Sequence, residues 1–421
     1  MYLGIIADDF TGGTDIAGFL AQNGLSVTQY IGVPTLSLIG TQPDAAVISL
    51  KSRSCPVTEA VQDSLAALNW LQNQEYRQFF FKYCSTFDST DAGNIGPVTD
   101  TLLDALKSNM TIMQPALPIN GRTVYMGYLF VNGVPLNESG MRHHPVTPML
   151  DANIMRLMER QSRGKAAHIS VAIVEAGPAA IRESMRELRA KGARYVVPDA
   201  LKDEHLIALG EAVTDLPLVT GGSGLGMGIA LHIRHRYGLD SRSNTTAGRP
   251  PGGNCVALAG STSSMTNAQV KRYQNNAPTR KIDVRRCVAD ATGYAAEVAG
   301  WVTSLVPAAN APLIYSTTGQ EELAAVQKQF GAEASGSAVE RFFANLAVLL
   351  QQAKIDHFIV AGGETSGSVV KALGITAFHI GPQIAPGVPW VRAVDAPVSL
   401  ALKSGNFGDE HFFSVAQESF K

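Results

Sequence analysis

Phe358-Ile-Val-Ala-Gly-Gly-Glu-Thr-Ser-Gly367 runs four apolar residues into two glycines, a carboxylate, two hydroxyls and a third glycine. A helix-like run follows, from Ser368 to Leu373. The order is strand, tight glycine turn, helix N-terminus. The N-terminus of a helix offers unpaired N–H groups and the positive end of the dipole, which attract phosphate. Glycine lets the backbone approach the anion without a Cβ in the way. The stretch therefore reads either as a nucleotide-phosphate site or as an ordinary strand–helix turn.

The same grammar recurs. Val256-Ala-Leu-Ala-Gly-Ser-Thr-Ser-Ser264 is a strand, a glycine, then hydroxyls opening a helix. Leu218 to Gly228 is a short apolar run followed by spaced glycines, and Leu400-Ala-Leu-Lys-Ser-Gly-Asn-Phe-Gly408 ends a strand in a polar glycine turn. Several strands ending this way fit one crevice at the carboxyl edge of an open α/β sheet. The common nucleotide fingerprints are absent: Ser368 stands where a Walker A lysine belongs, and Met227 and Ile229 break the dinucleotide glycine pattern. A serine amidase loop fails too, because Gly224-Leu225 follows Ser223.

A chain of 421 residues exceeds one average core, so two domains are expected. With 45% apolar and 17% charged residues it is globular, and a net charge of −2 without a basic block argues against nucleic acid as a partner. Cys55, Cys84, Cys255 and Cys287 form no C-x-x-C pair, which points to reduced thiols and a cytoplasmic setting and away from a metal cluster. The N-terminus opens on a strand-like run with no signal-peptide pattern, and no apolar run is long enough for a membrane span.

Short apolar runs alternate with amphipathic segments almost throughout, which predicts α/β: two α/β domains, each a mostly parallel sheet flanked by helices, with a cleft between them. Strands are expected at 3–7, 27–31, 45–50, 79–83, 169–174, 195–197 and 218–220, then at 256–259, 280–284, 313–315, 358–361, 378–380 and 398–402. Arg122–Val131 reads as a small hairpin. Gly238 to Gly253 is polar, aperiodic and rich in glycine and proline, so 1–237 and 254–421 are expected to be the domains and 238–253 the linker.

Four polar clusters stand in the first domain. Asp8, Asp9 and Asp15 surround Thr11-Gly-Gly-Thr14 after the first strand. Capping by Thr14 or Asp15 explains one or two of these acids but not two adjacent acids at a strand end. Lys82-Tyr-Cys-Ser-Thr-Phe-Asp-Ser-Thr90 leads to Asn94 and supplies a cation with hydroxyl, acid and amide groups, a lining suited to a small acidic polyol. Arg53 lies at another strand end and suits a carboxylate. His143-His144 lacks a third ligand nearby, which favours substrate contact or helix approach over metal.

Taken in order, Ala7 to Asp15, Lys82 to Asn94, Met141-Arg-His-His-Pro145, Leu218 to Gly224, Ala361 to Gly367 and Lys403 to Gly408 make the chain resemble the four-carbon acid sugar kinase family over essentially its whole length. Lys82 to Thr90 and the ending from Pro397 to Asp409 are similar to the 3-oxo-tetronate kinases of that family. Gly13 stands where alanine is common, which would only loosen the helix start.

The resemblance implies an N-terminal acid-sugar domain, a C-terminal nucleotide domain and ATP-dependent phosphorylation at C4 of a 3-oxo-tetronate. Decarboxylation by a separate enzyme would follow. It places Ser261, Gly362, Gly363, Glu364, Thr365 and Gly405 at ATP, with Mg²⁺ carried by the nucleotide and no protein metal site. Asp8 or Asp9 would accept the hydroxyl proton. Arg53, Lys82, Ser85, Asp88, Asn94 and His144 would bind the acid, Arg53 and Lys82 through its C1 carboxylate. Domain closure about a hinge is expected, and a homodimer is allowed. The alternatives are a kinase of D-threonate or erythronate and a non-catalytic, nucleotide-regulated sugar-acid binding protein; the missing dinucleotide fingerprint disfavours a dehydrogenase.

Overall fold

The computed structural model describes residues 1–34, 42–143, 147–239, 245–316 and 320–420. The chain forms two compact units, Met1–Asn244 and Thr245–Lys421. No helix among the described residues is long and apolar enough to cross a membrane.

The first unit contains β1 (Leu3–Ala7), β2 (Val27–Ile31), β3 (Ala45–Ser49), β4 (Gln78–Lys82), β5 (Thr111–Gln114), a hairpin sheet of β6 (Arg122–Tyr125), β7 (Tyr128–Val131) and β8 (Val134–Pro135), then β9 (Lys165–Ile169), β10 (Ala193–Pro198) and β11 (Leu218–Gly221). Its main sheet runs β2-β3-β1-β4-β11-β5-β10-β9, with every pairing parallel. Strands β1, β3 and β4 are buried at every position, as parallel strands covered on both faces must be. From β1 the chain goes to β2 and β3 on one side and then crosses to β4 on the other. This reversal makes the carboxyl ends of β1 and β4 a topological switch point, where open α/β sheets take ligands.

The second unit contains β12 (Cys255–Ala259), β13 (Thr279–Lys281), β14 (Leu313–Tyr315), β15 (His357–Ala361), β16 (Ala377–Ala385), β17 (Val388–Ala393) and β18 (Ser399–Lys403). The sheet order is β13-β14-β12-β15-β18-β17-β16, parallel as far as β18 and antiparallel through β17 and β16. Its switch point lies between β12 and β15. One core cluster joins strand residues such as Ile359, Trp390 and Ala401 to Tyr273, Phe412 and Phe413 of the helices. The cut between units falls within 238–253, of which 240–244 lie outside the described residues. The later part of that stretch is fixed to the second unit: Pro251 O accepts from His357 Nε2 at 2.6 Å, and His357 N donates to Asn254 O at 3.0 Å.

Several expected elements shift. The strand expected at 169–174 is the end of β9 followed by a short helix, Val171–Glu175, whose first N–H donates to Asp199 Oδ2 at 2.9 Å. The run 280–284 stops at Lys281, because Asp283 caps the helix Val284–Leu305 through Arg285 N. Strands β5 and β17 had no sequence signal strong enough to name.

Candidate active site

Strand β1 ends at Ala7, and Asp8 and Asp9 follow. Asp9 is the N-cap of the helix Phe10–Gln22: its Oδ1 accepts from Gly12 N at 2.8 Å and its Oδ2 from Thr11 Oγ1 at 3.0 Å. The cap is therefore Asp9, not Thr14 or Asp15, and the helix begins at Phe10. Asp8 is tied to the loop after β3. Arg53 Nε and Nη2 donate to its two oxygens at 2.9 and 2.8 Å, in the fork geometry that suits guanidinium and carboxylate. Nη2 also lies 2.9 Å from Asp9 Oδ1, while Nη1 stands 3.9 Å from Asp88 Oδ2. Arg53 is thus already paired within the protein, mainly with Asp8.

Lys82 ends β4 beside them. It is buried, and its Nζ donates to Tyr83 O at 2.9 Å. Gly12 makes room for it: a Cβ there would lie 2.3 Å from Asp9 Oδ1 and 3.1 Å from Lys82 Nζ. At Gly13 a Cβ would come within 2.0 Å of Ser49 Oγ, so this glycine fits a close approach to β3 and does more than loosen the helix start. Deeper still, Asp15 accepts a hydrogen bond from Ser223 Oγ, and its buried Oδ1 has no partner among the described residues.

Burial pushes the Asp8 carboxyl up from its ordinary value, against the pull of Arg53. Burial also raises Asp15, with Lys82 and the Ser223 hydroxyl pulling the other way. At Asp9 burial is outweighed by Arg53, Lys82 and the hydrogen bonds from Thr11 and Gly12, which hold the carboxyl below its ordinary value. Burial, with Asp88 alongside, lifts the Cys84 thiol to about 12, so it stays protonated at neutral pH. Asp9 is the accessible acid of the pair: its side chain is 27% exposed against 5% for Asp8.

Around this centre, Asp88 accepts from Thr86 Oγ1 at 2.6 Å, and Ser85 is half-buried in the same turn. Phe87 in that turn is fully buried with φ of 55°, a left-handed conformation that its packing must hold in place. Asn94 uses its amide on the loop that carries Arg53, donating to Ser52 O at 2.8 Å and Cys55 O at 2.9 Å. The cluster so formed brings together Asp8, Asp9, Arg53, Lys82 and Asp88. His144 lies outside the described residues.

In the second unit three strand ends make a cradle. The helix Gly363–Ala372 follows β15 and the helix Ser264–Tyr273 follows β12. The former begins at Gly363, five residues before the expected Ser368. Gly362, with φ of 127°, therefore makes the turn alone, while Glu364 and Thr365 sit in the first helical turn. Gly260 N and Ser261 N both donate to Ala361 O, at 3.0 and 3.2 Å, and Gly362 N donates to Lys403 O at 2.9 Å. The packing leaves little slack. A Cβ at Gly260 would lie 2.1 Å from Thr365 Oγ1, and one at Gly405 would lie 2.5 Å from Ser261 Oγ and 2.8 Å from Ser263 Oγ. Ser261, Gly362, Thr365 and Gly405 are thereby brought into one place, with Gly363 and Glu364 exposed at the helix start.

A cavity of about 790 Å³ opens from Gly260 and Thr365 toward Ile282, Tyr294 and Val339. Two helix N-termini and a pocket of nucleoside-accommodating size together suit a nucleotide. No group of three His, Cys, Asp or Glu among the described residues is arranged to hold a metal. The chemistry of this donor set fits a hard ion that stays largely on phosphate oxygens and water, with the exposed Glu364 carboxylate in the first helical turn.

Sequence reasoning passed over Gly12, Gly260, Ser263, Thr266 and Lys403 as working residues. Lys403 did carry a signal: like Lys82, it is a lysine closing an apolar strand just before a glycine-bearing turn.

A model of sugar-binding N-terminal domains matches residues 3–229, and one of nucleotide-binding C-terminal domains matches residues 256–413. Curated relatives named 3-oxo-tetronate kinase include those of Brucella melitensis (56% identical, covering 99% of this chain and 95% of the relative) and Pectobacterium atrosepticum (55%, covering 99% of each). A Salmonella typhimurium relative with the same name is 54% identical, covering 100% of this chain and 99% of its own. Among solved structures, one from Salmonella typhimurium, described as a candidate tRNA synthase, superposes with a TM-score of 0.93 at 53% identity over 100% of both chains. One from Haemophilus influenzae gives 0.85 at 51%, over 99% of this chain and 100% of the other.

Proposed function

The chain belongs to the four-carbon acid sugar kinase family, and on that premise we propose that it phosphorylates the C4 hydroxyl of 3-oxo-tetronate with ATP. The observation that carries this reading is identity above one half, along nearly the full chain, to relatives bearing that activity in their names. The cradle in the second unit and the acid–base cluster in the first supply the two kinds of site the reaction needs.

Phosphoryl transfer asks the protein mainly for alignment and for donors to the charge on the phosphate oxygens. In this assignment the first-turn N–H groups after Gly362, with Ser261 and the Gly405 turn, take the phosphates. The nucleoside lies in the adjoining cavity. Glu364 is the carboxylate that would hold a water of a Mg²⁺ ion bound with the nucleotide, an ion that would supply neutralisation of phosphate charge.

In the first unit the substrate is itself an anion, yet Asp8, Asp9 and Asp88 outnumber Arg53 and Lys82. Such a site suits hydroxyl groups, which donate to the carboxylates, while the C1 carboxylate goes to Lys82 and to the Arg53 edge at Nη1. Arg53 chiefly cancels the charge of Asp8. Asp9, the more exposed of the pair, accepts the C4 hydroxyl proton. Ser85 and Asp88 bind the remaining oxygens, and Asn94 holds the Arg53 loop. The reaction belongs in the cytoplasm, where ATP is supplied and the four thiols stay reduced.

The test is ADP release from ATP and Mg²⁺ with 3-oxo-tetronate generated in situ, against D-threonate, L-threonate and both erythronates. Turnover with the keto acid alone supports the proposal. Turnover with an unoxidised tetronate instead would keep the kinase and reject the substrate. Nucleotide binding without turnover on any acid would favour a sugar-acid binding protein.

A further inference from the structure

Lys403 closes β18 and is fully buried. Its Nζ donates to three uncharged oxygens: Thr266 Oγ1 at 3.1 Å, Ser404 O at 3.1 Å and Gly405 O at 2.9 Å. The ring of Phe412 lies 5.7 Å away. No carboxylate among the described residues pairs with it. Among the described residues, the elements around it bring no counter-charge to the ammonium. Helix Ser264–Tyr273 carries its charges, Lys271 and Arg272, in the last turn, and Arg272 faces Glu410 and His411. Helix Gly363–Ala372 carries Lys371 in its last turn and an exposed Glu364 in its first. Strand β15 sets Ala361 opposite it, while the strand's histidine, His357, lies at the far end opposite Ser399 and pairs with Asp356; Asp409 after the turn accepts from His411 N. Burying an ammonium costs several kcal/mol unless something compensates its charge. Burial alone pulls this amine down to about 7.

The three oxygens it holds belong to the phosphate cradle. Thr266 Oγ1 donates onward to Gly405 O at 2.8 Å and accepts from Ser263 Oγ at 3.1 Å. Ser263 caps its helix through Thr266 N. One buried ammonium therefore fixes the Gly405 turn to the N-terminus of the helix after β12.

We propose that Lys403 is the positioning residue of the nucleotide site and that its buried charge is balanced by the phosphates of the bound nucleotide instead of by a protein carboxylate. The inference rests on the nucleotide reading of this unit. Without nucleotide the amine sheds its proton readily; with phosphate nearby the ammonium is favoured. Nucleotide binding at mildly alkaline pH then transfers a proton from the buffer to Lys403 Nζ.

The test is calorimetric titration of the full chain with MgADP at pH 8, in two buffers of unlike ionisation enthalpy. The expected result is uptake of about one proton per ADP bound. In Lys403→Met the uptake should vanish and ADP affinity fall roughly 10- to 100-fold, with circular dichroism confirming the fold. The wild-type measurement decides the matter even if the variant does not fold. ADP binding without proton uptake, or equal uptake in Lys403→Met, overturns the proposal and leaves the nucleotide reading intact. Failure of the wild type to bind ADP at all sinks both.

Discussion

Asp9 has two structural duties before any chemistry: it caps the first helix and forms an ion pair with Arg53. Asp9→Asn keeps a capping group of similar quality, since asparagine caps about as well as aspartate. The variant should therefore fold normally while kcat falls about 10²- to 10⁴-fold; a near-wild-type rate in steady-state assays would remove Asp9 as the base. Lys82→Met should chiefly raise KM for the sugar acid and leave ADP affinity unchanged, as read by kinetics and calorimetry together. At this scale the sequence was partly legible. An acid pair after an apolar strand and a lysine closing another strand announced the cluster, because such residues rarely sit at buried strand ends without a task. It did not reveal that Arg53 reaches back to Asp8, a contact 45 positions apart in the chain, nor that the amide of Asn94 is spent on the loop carrying Arg53.

At the scale of elements, function depends on how closely strand ends and helix starts approach. Gly405→Ala would drive a Cβ toward Ser261 and Ser263 Oγ. Nucleotide affinity should drop while the sugar-acid site is undisturbed, which ADP and acid titrations of one variant can separate. Gly13→Ala overpacks the contact with Ser49 and should cost about 1–3 kcal/mol in stability, seen as a lower thermal midpoint. Lys403 adds a pH signature. An unfolded lysine titrates at about 10.4, whereas burial pulls this one down to about 7. Between those values the unfolded chain holds more protons, so the stability of the nucleotide-free protein should rise with pH across that window. Lys403→Met should lose that rise in denaturation curves taken at several pH values. Periodicity located most strands within a residue or two. Helix starts were misjudged at Phe10 and Gly363, since glycines and hydroxyls in a first turn read as loop until the cap, or the residue with positive φ before it, is known.

For the molecule as a whole, the division of labour between units is the larger claim. Hydrogen exchange of the full chain should show ADP protecting amides within 245–421, around Gly260, Gly362 and Gly405, and the sugar acid protecting amides within 1–244, around Asp9 and Lys82. The reverse pattern would exchange the two assignments. The central claim is transfer to the primary C4 hydroxyl of the keto acid, and phosphorus NMR of the product formed from ATP and 3-oxo-tetronate reads it directly. A phosphate monoester signal split by both protons of the C4 methylene, a triplet or doublet of doublets, is the predicted result. A doublet from a single C2 proton, or inorganic phosphate as the sole product, would contradict it.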